Sequence, residues 1–359
     1  MEILEGKKRV MICPLGWGLG HATRMIPVVD YLLSRGCEVI VAGDEHVKPV
    51  FESRYKQVKF VLFPSLRVKF SRGRNQLLPL IRIAFRVFGE TRREHKKIQS
   101  LIDEYKVDLV ISDNRYGLYS KKIDSVFITH QLNILFPKPF GWFGFIGRMY
   151  VRCYAERHTE CWIPDNSTGI RVSGKLSTVK KMPRNTRFIG LLSRFANMHE
   201  IPAPQNQWDL VVIASGPSPQ REIFVQEATS FAQRQNFKTL ILCGNPKGNE
   251  EQLVDEKVLL LSSLSDEEIL EGILSAQYLI CRAGYSTIMD LIALGKTALL
   301  VPTPGQTEQE YLSHHLSEKG LFTFTQQHRL NDLSLCDIAK APSTQFVNSE
   351  FFPSTFHKH

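Results

Sequence analysis

At 359 residues, 43% of them apolar and 23% charged, the chain has the composition of a soluble globular protein long enough for two domains. No run of about 18 apolar residues is present to cross a bilayer, and Met1–Gly20 lacks the apolar stretch of a secretory leader. Seven cysteines, far apart and without a C-x-x-C pair, exclude a disulfide framework or zinc spacing and point to reduced thiols in a cytoplasmic protein.

Arg9–Pro14 reads as a strand, followed by the glycine loop Gly16-Trp17-Gly18-Leu19-Gly20-His21. One helix is predicted behind the loop, because Met25, Val28, Val29, Leu32 and Leu33 fit a period of 3.6 and Gly36 supplies a stop. Glu38–Ala42 is the next strand and completes a parallel crossover. Strands follow at Lys59–Phe63, Asp108–Ser112 and Ser125–Thr129, and Thr186–Phe195 with Pro202 and Pro204 reads as a domain junction. The same alternation then restarts. Asp209–Ala214 is a strand, Ser215–Gln220 a turn and Arg221–Arg234 a helix, with strands at Lys238–Cys243, Val258–Leu261, Tyr278–Cys281 and Ala298–Val301. Ser265 and Glu268 have capping-box spacing. The expected fold is α/β, two Rossmann-like domains facing across a cleft. Residues 1–200 form the first, 201–340 the second, and 341–359 a tail that could return to the first.

Charge divides with the halves. Residues 1–195 hold 34 Lys and Arg against 17 Asp and Glu, whereas residues 196–359 hold 11 against 19. Arg67–Lys97 alone carries ten basic residues against two acidic ones, interleaved with Leu77, Leu78, Leu80, Ile81, Ile83, Phe85, Val87 and Phe88. A basic amphipathic helix of this kind suits an anionic membrane surface. Phe136, Phe140, Trp142, Phe143, Phe145 and Ile146, between Lys138 and Arg148, form a second apolar stretch with basic neighbours. Both runs also fit half-buried helices. Nucleic acid is the weaker partner, because the loops of the same half suit phosphosugar chemistry.

Two loops carry the chemistry. Gly16–His21 and Cys281-Arg282-Ala283-Gly284-Tyr285-Ser286-Thr287 each follow an apolar strand and open a helix, so that free N–H groups can face a phosphate. Gly16, Gly18 and Gly20 approximate a dinucleotide fingerprint, but His21 stands where the last glycine belongs. With Asp44 after the second strand as a ribose ligand, a nicotinamide-dependent dehydrogenase is one reading of the first loop. A histidine at that helix entrance is placed as a general base, or as packing for the first turn.

The segment Cys281–Leu316 resembles the donor-site signature of family 28 glycosyltransferases, the family that includes the N-acetylglucosaminyltransferase acting on lipid I in peptidoglycan synthesis. The shared pattern is R-A-G, a Thr, an acid, a Gly, a strand ending in P-x-P and a Gln-containing helix start. Gly18-Leu19-Gly20-His21 is similar to that family's N-terminal loop, His130-Gln131-Leu132-Asn133 to its acceptor-side H-x-x-N, and Ser215-Gly216 with Gln220-Arg221 to its phosphate loop. The resemblance implies a GT-B glycosyltransferase with the acceptor on the first domain, near Gly18, Gly20, Gln131 and Asn133. It implies donor contacts from Ser215, Gly216, Arg221, Leu264, Ala283, Gly284, Tyr285, Ser286 and Thr287, with the base edge near Leu261–Leu264. Asp290 falls where the family holds ribose with a longer Glu, although Thr287 and Asp290 also have capping-box spacing. Gln309 and Glu310 fall where related enzymes hold the donor sugar.

No D-x-D occurs, so neither a metal nor a cofactor is expected, and the leaving diphosphate would be stabilised by loop amides and a helix dipole. One base then suffices for inversion, with His21, His130 and Asp113 as candidates. The expected partners are a nucleotide sugar, UDP-linked, and a cell-envelope glycan or lipid-linked acceptor at the inner face of the membrane. A UDP-sugar 2-epimerase of the same fold and a non-catalytic glycan-binding relative are the alternatives.

Overall fold

The computed structural model describes residues 2–65, 77–136, 141, 143–196, 207–216, 218–244, 251–262, 265–334, 338 and 349–353, with backbone alone for 77–85. The first half contains β1 (Arg9–Cys13), α1 (Leu19–Thr23), α2 (Ile26–Ser34), β2 (Glu38–Gly43), α3 (Lys48–Glu52), β3 (Lys59–Leu62) and α4 (Leu77–Tyr105). β4 (Leu109–Asp113), β5 (Asp124–Ile128), α5 (Phe143–Ala155), β6 (Glu160–Ile163) and β7 (Thr186–Phe188) complete it. Its seven strands pair in parallel, in the order β3-β2-β1-β4-β5-β6-β7. The central strands are apolar on both faces, with Val10, Met11, Ile12 and Cys13 fully buried, as a sheet covered on two sides requires.

The second half contains β8 (Trp208–Ile213), α6 (Gln220–Gln235), β9 (Thr239–Leu242), β10 (Glu251–Leu253), β11 (Val258–Leu261), α7 (Asp266–Leu274) and β12 (Ala276–Cys281). α8 (Tyr285–Ala293), β13 (Leu299–Leu300), α9 (Thr307–Glu318) and β14 (Thr323–Phe324) follow. The strand order is β10-β11-β9-β8-β12-β13-β14, parallel except for β10. The capping box of α7 forms at both ends: Ser265 N–H donates to Glu268 Oε2 at 2.7 Å and Glu268 N–H to Ser265 Oγ at 3.2 Å.

Both strand orders reverse direction beside the strand that feeds a glycine loop, at β1/β4 and at β8/β12. Such switch points open a crevice at the carboxyl ends of the strands. The two crevices face each other: Ser286 Oγ donates to Gly20 O at 2.8 Å, and Thr307 Oγ1 donates to Leu135 O at 2.8 Å. Near the C-terminus, Phe351 bridges Leu191, and Phe352 packs its ring 5.5 Å from Tyr31 and 6.2 Å from Trp162. The junctions read at 200 and 340 lie outside the described residues.

One departure from the sequence reading bears on the site. The single helix expected after the first loop is two, α1 and α2, separated at Arg24 and Met25. Pro27 sits in the first turn of α2, where it has no N–H to give an earlier carbonyl and its ring clashes with a continuing helix. The break leaves Arg24 at the C-cap of α1, turned into the crevice.

Candidate active site

The first glycine loop is held from behind. Asp44 is buried, and its Oδ2 accepts from Ser65 N–H at 2.9 Å and Ser65 Oγ at 2.7 Å, while Gly16 N–H donates to Ser65 Oγ at 3.0 Å. The carboxylate that the dehydrogenase reading needs for a ribose is therefore sealed under the loop. A Cβ on Gly16 would overlap that carboxylate, so Gly16→Ala is expected to destabilise the fold by ~1–3 kcal/mol in a urea titration. Gly18 has φ +155°, a conformation that side chains strain, and it turns the chain into α1.

β4 ends at Asp113, one strand away from β1. Asn114 follows with φ 57°, which reverses the chain so that Asp113 points into the crevice while Arg115 turns back to pair with buried Glu94 at 2.8 Å. His21 Nδ1 lies 2.9 Å from Asp113 Oδ2. Arg24 binds the same carboxylate with two nitrogens, Nε at 2.9 Å and Nη2 to the other oxygen. Burial by itself would raise the Asp113 pKa, but the Arg24 charge and then His21 outweigh it and hold the group down to about 2. His21 is pushed below its usual 6.5 by burial and by Arg24, against the pull of Asp113. An ionised carboxylate only accepts, so His21 donates from Nδ1 and keeps its lone pair on Nε2, which meets no partner among the described residues.

His130 follows β5 and is buried. Arg24 Nη1 donates to its Nδ1 at 3.1 Å, its Nε2 lies 2.7 Å from Glu308 Oε1, and its ring stacks on Tyr285 at 4.2 Å and 7°. Because Arg24 occupies the lone pair, His130 in this arrangement has none left to take a proton from an acceptor. Gln131 Nε2 donates to Glu308 Oε2. Asn133 lies at the rim, where it accepts from Arg148 at 3.0 Å and donates to Lys175 O at 3.2 Å.

On the opposite wall, β8 leads into Ser215 and Gly216, whose φ is +118°, and β12 leads into Arg282, Ala283 and Gly284. A Cβ on Gly284 would lie 3.9 Å from Ser215 Oγ and 3.8 Å from Thr287 Oγ1, so the two loops converge. Gly284 caps α8 with no side-chain hydrogen bond. The Thr287–Asp290 capping box is thus not formed, and the first amides of α8 stay open to an anion. Ala283 and Tyr285 are buried, and the Tyr285 hydroxyl donates to Pro164 O at 2.7 Å. Arg282 supports the loop from below through Val301 O at 3.2 Å and Gln220 O at 2.9 Å. Arg221 pairs with Glu222 at 2.8 Å on the rim of α6. Leu264 lies outside the described residues.

Three acids or amides of the donor half take roles that spacing did not separate. Asp290 accepts from Ser193 Oγ at 2.7 Å and Arg194 Nε at 3.3 Å, so its carboxylate meets the segment joining the halves. Gln309 accepts from Thr303 N–H at 2.8 Å and Glu310 from Gly305 N–H at 2.9 Å, and both brace the turn before α9. Successive helical residues point about 100° apart, which leaves Glu308 as the one that reaches across to His130 and Gln131. Arg24 and Glu308 escaped the sequence reading. Arg24 stands at i+3 from His21, and Pro27 marks the break that aims it, so a signal for Arg24 was present.

A crevice between two Rossmann-like sheets, with an uncapped glycine loop and helix on one wall and a His–Asp pair on the other, defines a GT-B glycosyltransferase architecture. Residues 211–339 match the glycosyltransferase family 28 C-terminal domain. The chain is 21% identical over 345 residues to the UDP-N-acetylglucosamine--N-acetylmuramyl-(pentapeptide) pyrophosphoryl-undecaprenol N-acetylglucosamine transferase of Pasteurella multocida, covering 93% of this chain and 88% of that protein. It is 24% identical over 327 residues to an uncharacterized glycosyltransferase of Methanosarcina acetivorans, covering 87% and 84%. The solved structure of the spinosyn rhamnosyltransferase SpnG superposes with a TM-score of 0.61 at 13% identity, over 90% of each chain. The protein is therefore a glycosyltransferase of the GT-B fold that resembles family 28.

Proposed function

We propose that the protein transfers a hexosyl group, with inversion and without a metal, from a UDP-sugar to a cell-envelope glycan or lipid-linked acceptor. The observation that carries this reading is the His21–Asp113 pair, whose open Nε2 lies one residue from the contact between Gly20 and the N-terminal turn of α8. An acceptor hydroxyl gives its proton to Nε2 as its oxygen attacks C1 of the sugar. The bond from C1 to the diphosphate oxygen breaks, and the electron pair leaves with the nucleotide. The first amides of α8, with Ser215, Gly216 and Thr287, meet the charge that develops there. One displacement inverts the anomeric centre. Donor and acceptor class rest on the Pasteurella relative's named substrates and on the motif positions of Asp290, Gln309 and Glu310. For Asp290 to hold a ribose, it would use the lone pairs that Ser193 and Arg194 leave on its two oxygens.

The acceptor's lipid has a surface to meet. On α5, Phe145 is 64%, Ile146 47% and Met149 58% exposed, with Arg148 beside them. Thr91 of α4 bonds Tyr150 of α5 at 2.8 Å, and the same stretch of α4 exposes Arg86, Phe88, Arg92, Arg93, Lys96 and Lys97. Residues 67–76 and the side chains of 77–85 lie outside the described residues, and no described helix is long and apolar enough to cross a membrane. We read this face as docking on the anionic inner leaflet, from the cytoplasm. The Phe145→Glu/Ile146→Glu variant is expected to lose co-sedimentation with vesicles containing anionic lipid, while the wild-type protein pellets at low salt.

The function is tested by incubating the protein with UDP-sugars, with and without a lipid-linked or glycan acceptor. Expected are a thermal shift with UDP and glycoside formation only when acceptor is present, at a rate that EDTA leaves unchanged. Turnover to an epimer without acceptor would instead identify a 2-epimerase, and no turnover under either condition a binding relative.

A further inference from the structure

We infer that Glu308 is a positioning residue for the His21–Asp113 pair on the opposite domain, acting through His130 and Arg24. The inference rests on the reading of His21 as the base. A guanidinium only donates, so the contact from Arg24 Nη1 to His130 Nδ1, at 3.1 Å, requires a lone pair on Nδ1. The proton of the neutral ring must then be on Nε2, where Glu308 Oε1 accepts it at 2.7 Å. Gln131 holds the other Glu308 oxygen, and Tyr285 stacks on the ring and fixes its plane.

Withdraw Glu308, and Arg24 alone is left to hold that tautomer against the Nδ1–H form. A proton on Nδ1 would oppose the Arg24 N–H, donor against donor, and drive Arg24 from Asp113. Glu308 stands on α9, whereas Arg24, Asp113 and His130 belong to the first sheet and its connections. A carboxylate from the second half thus completes the base of the first. His21 is faced by Asp113, Arg24, His130 and Glu308; His130 by Arg24, Glu308, His21 and Tyr285; and Glu308 by His130, Gln131, Arg24 and His21.

The test is imidazole 15N NMR on the full, donor-free protein labelled at histidine, with signals assigned by His21→Gln and His130→Gln. The wild type should show the Nδ1–H form at His21 and the Nε2–H form at His130. Loss of a negative charge alone would lower the His21 midpoint in Glu308→Ala. Release of Arg24 instead raises it, because Asp113 is left to His21. The expected result is a rise of about half a pH unit or more, with the His130 Nε2–H form lost. Glu308→Gln keeps an acceptor, so it should preserve the His130 tautomer and show no rise. In a His130→Asn background, where an amide oxygen can serve Arg24, Glu308→Ala should cause no rise.

A midpoint unchanged or lowered in Glu308→Ala, or a rise in the His130→Asn background, overturns the proposal. Failure of the base reading is separate, and appears as retained turnover in His21→Ala whatever the NMR result.

Discussion

Replacing His21 with alanine is expected to lower kcat by ~10²–10⁴-fold, the usual contribution of a positioned general base, while UDP binding persists. The separation follows from where the groups stand. His21 belongs to α1 on the first domain, whereas the open amides of α8 and the Ser215-Gly216 loop belong to the second. Loss of the imidazole removes the acceptor's proton sink and leaves the diphosphate site standing. The pH profile should agree with this role. Burial and Arg24 hold His21 below 6.5, so the neutral base predominates at and above that pH. The rate should be flat near neutrality and fall only as pH drops below 6.5, and in Asp113→Asn the fall should begin lower still, since a carboxylate that favours the imidazolium is gone. Kinetics with the acceptor, next to calorimetry with UDP, measures both halves of the expectation. Equal loss of UDP binding would make His21 structural.

Arg24→Ala is expected to have the largest effect on stability. Asp113 is fully buried and ionised, and Arg24 is the cation that meets both its oxygens. Removing one partner of such a pair costs ~3–5 kcal/mol, because the buried charge loses its permanent counter-charge, here keeping only the His21 contact. The pH dependence has a definite sign. Asp113 is held below its ordinary 3.8, at about 2, so the stability it contributes is complete above 3.8 and is lost as pH falls toward 2. The deficit of Arg24→Ala should therefore be full at pH 7 and shrink across that acidic window. Adding Asp113→Asn should recover part of the loss at pH 7, since a neutral amide needs no counter-charge. Urea titrations of the three proteins at pH 7 and at acidic pH decide it. With Arg24 gone and Asp113 left to His21, the acid limb of the rate should also move upward.

Much of the frame could be read without coordinates because it depends on local signals. A buried parallel strand is a short apolar run, and the chain repeats that run before each glycine loop. Gly18 and Gly284 mark where backbone must turn or stay open. The S-x-x-E pair at Ser265 and Glu268 specifies its own two hydrogen bonds. Where local signals conflicted, the reading failed. The 3.6-residue period through Leu33 is met by α2, but Pro27 starts that helix afresh instead of continuing α1, and the break between them is what aims Arg24. The short strands β7, β10 and β14 are two or three residues long, too few for a pattern.

Sequence by itself thus determined the two α/β halves and the positions of the glycine loops, which follow from strand periodicity, and the candidacy of His21, Asp113 and His130, which follows from residue chemistry at strand ends together with the resemblance to family 28 motifs. Only the tertiary structure decided which candidate keeps a free lone pair. His21 and Asp113 are 92 residues apart, and His130 and Glu308 are 178 apart. Tertiary structure also decided that Asp44 is sealed, that Asp290 faces Ser193 and Arg194, and that Glu308, rather than Gln309 or Glu310, crosses the cleft. The physical reason is the same in each case. A hydrogen bond has direction and a short reach, and whether a polar group is satisfied, buried or open depends on which distant segment arrives beside it.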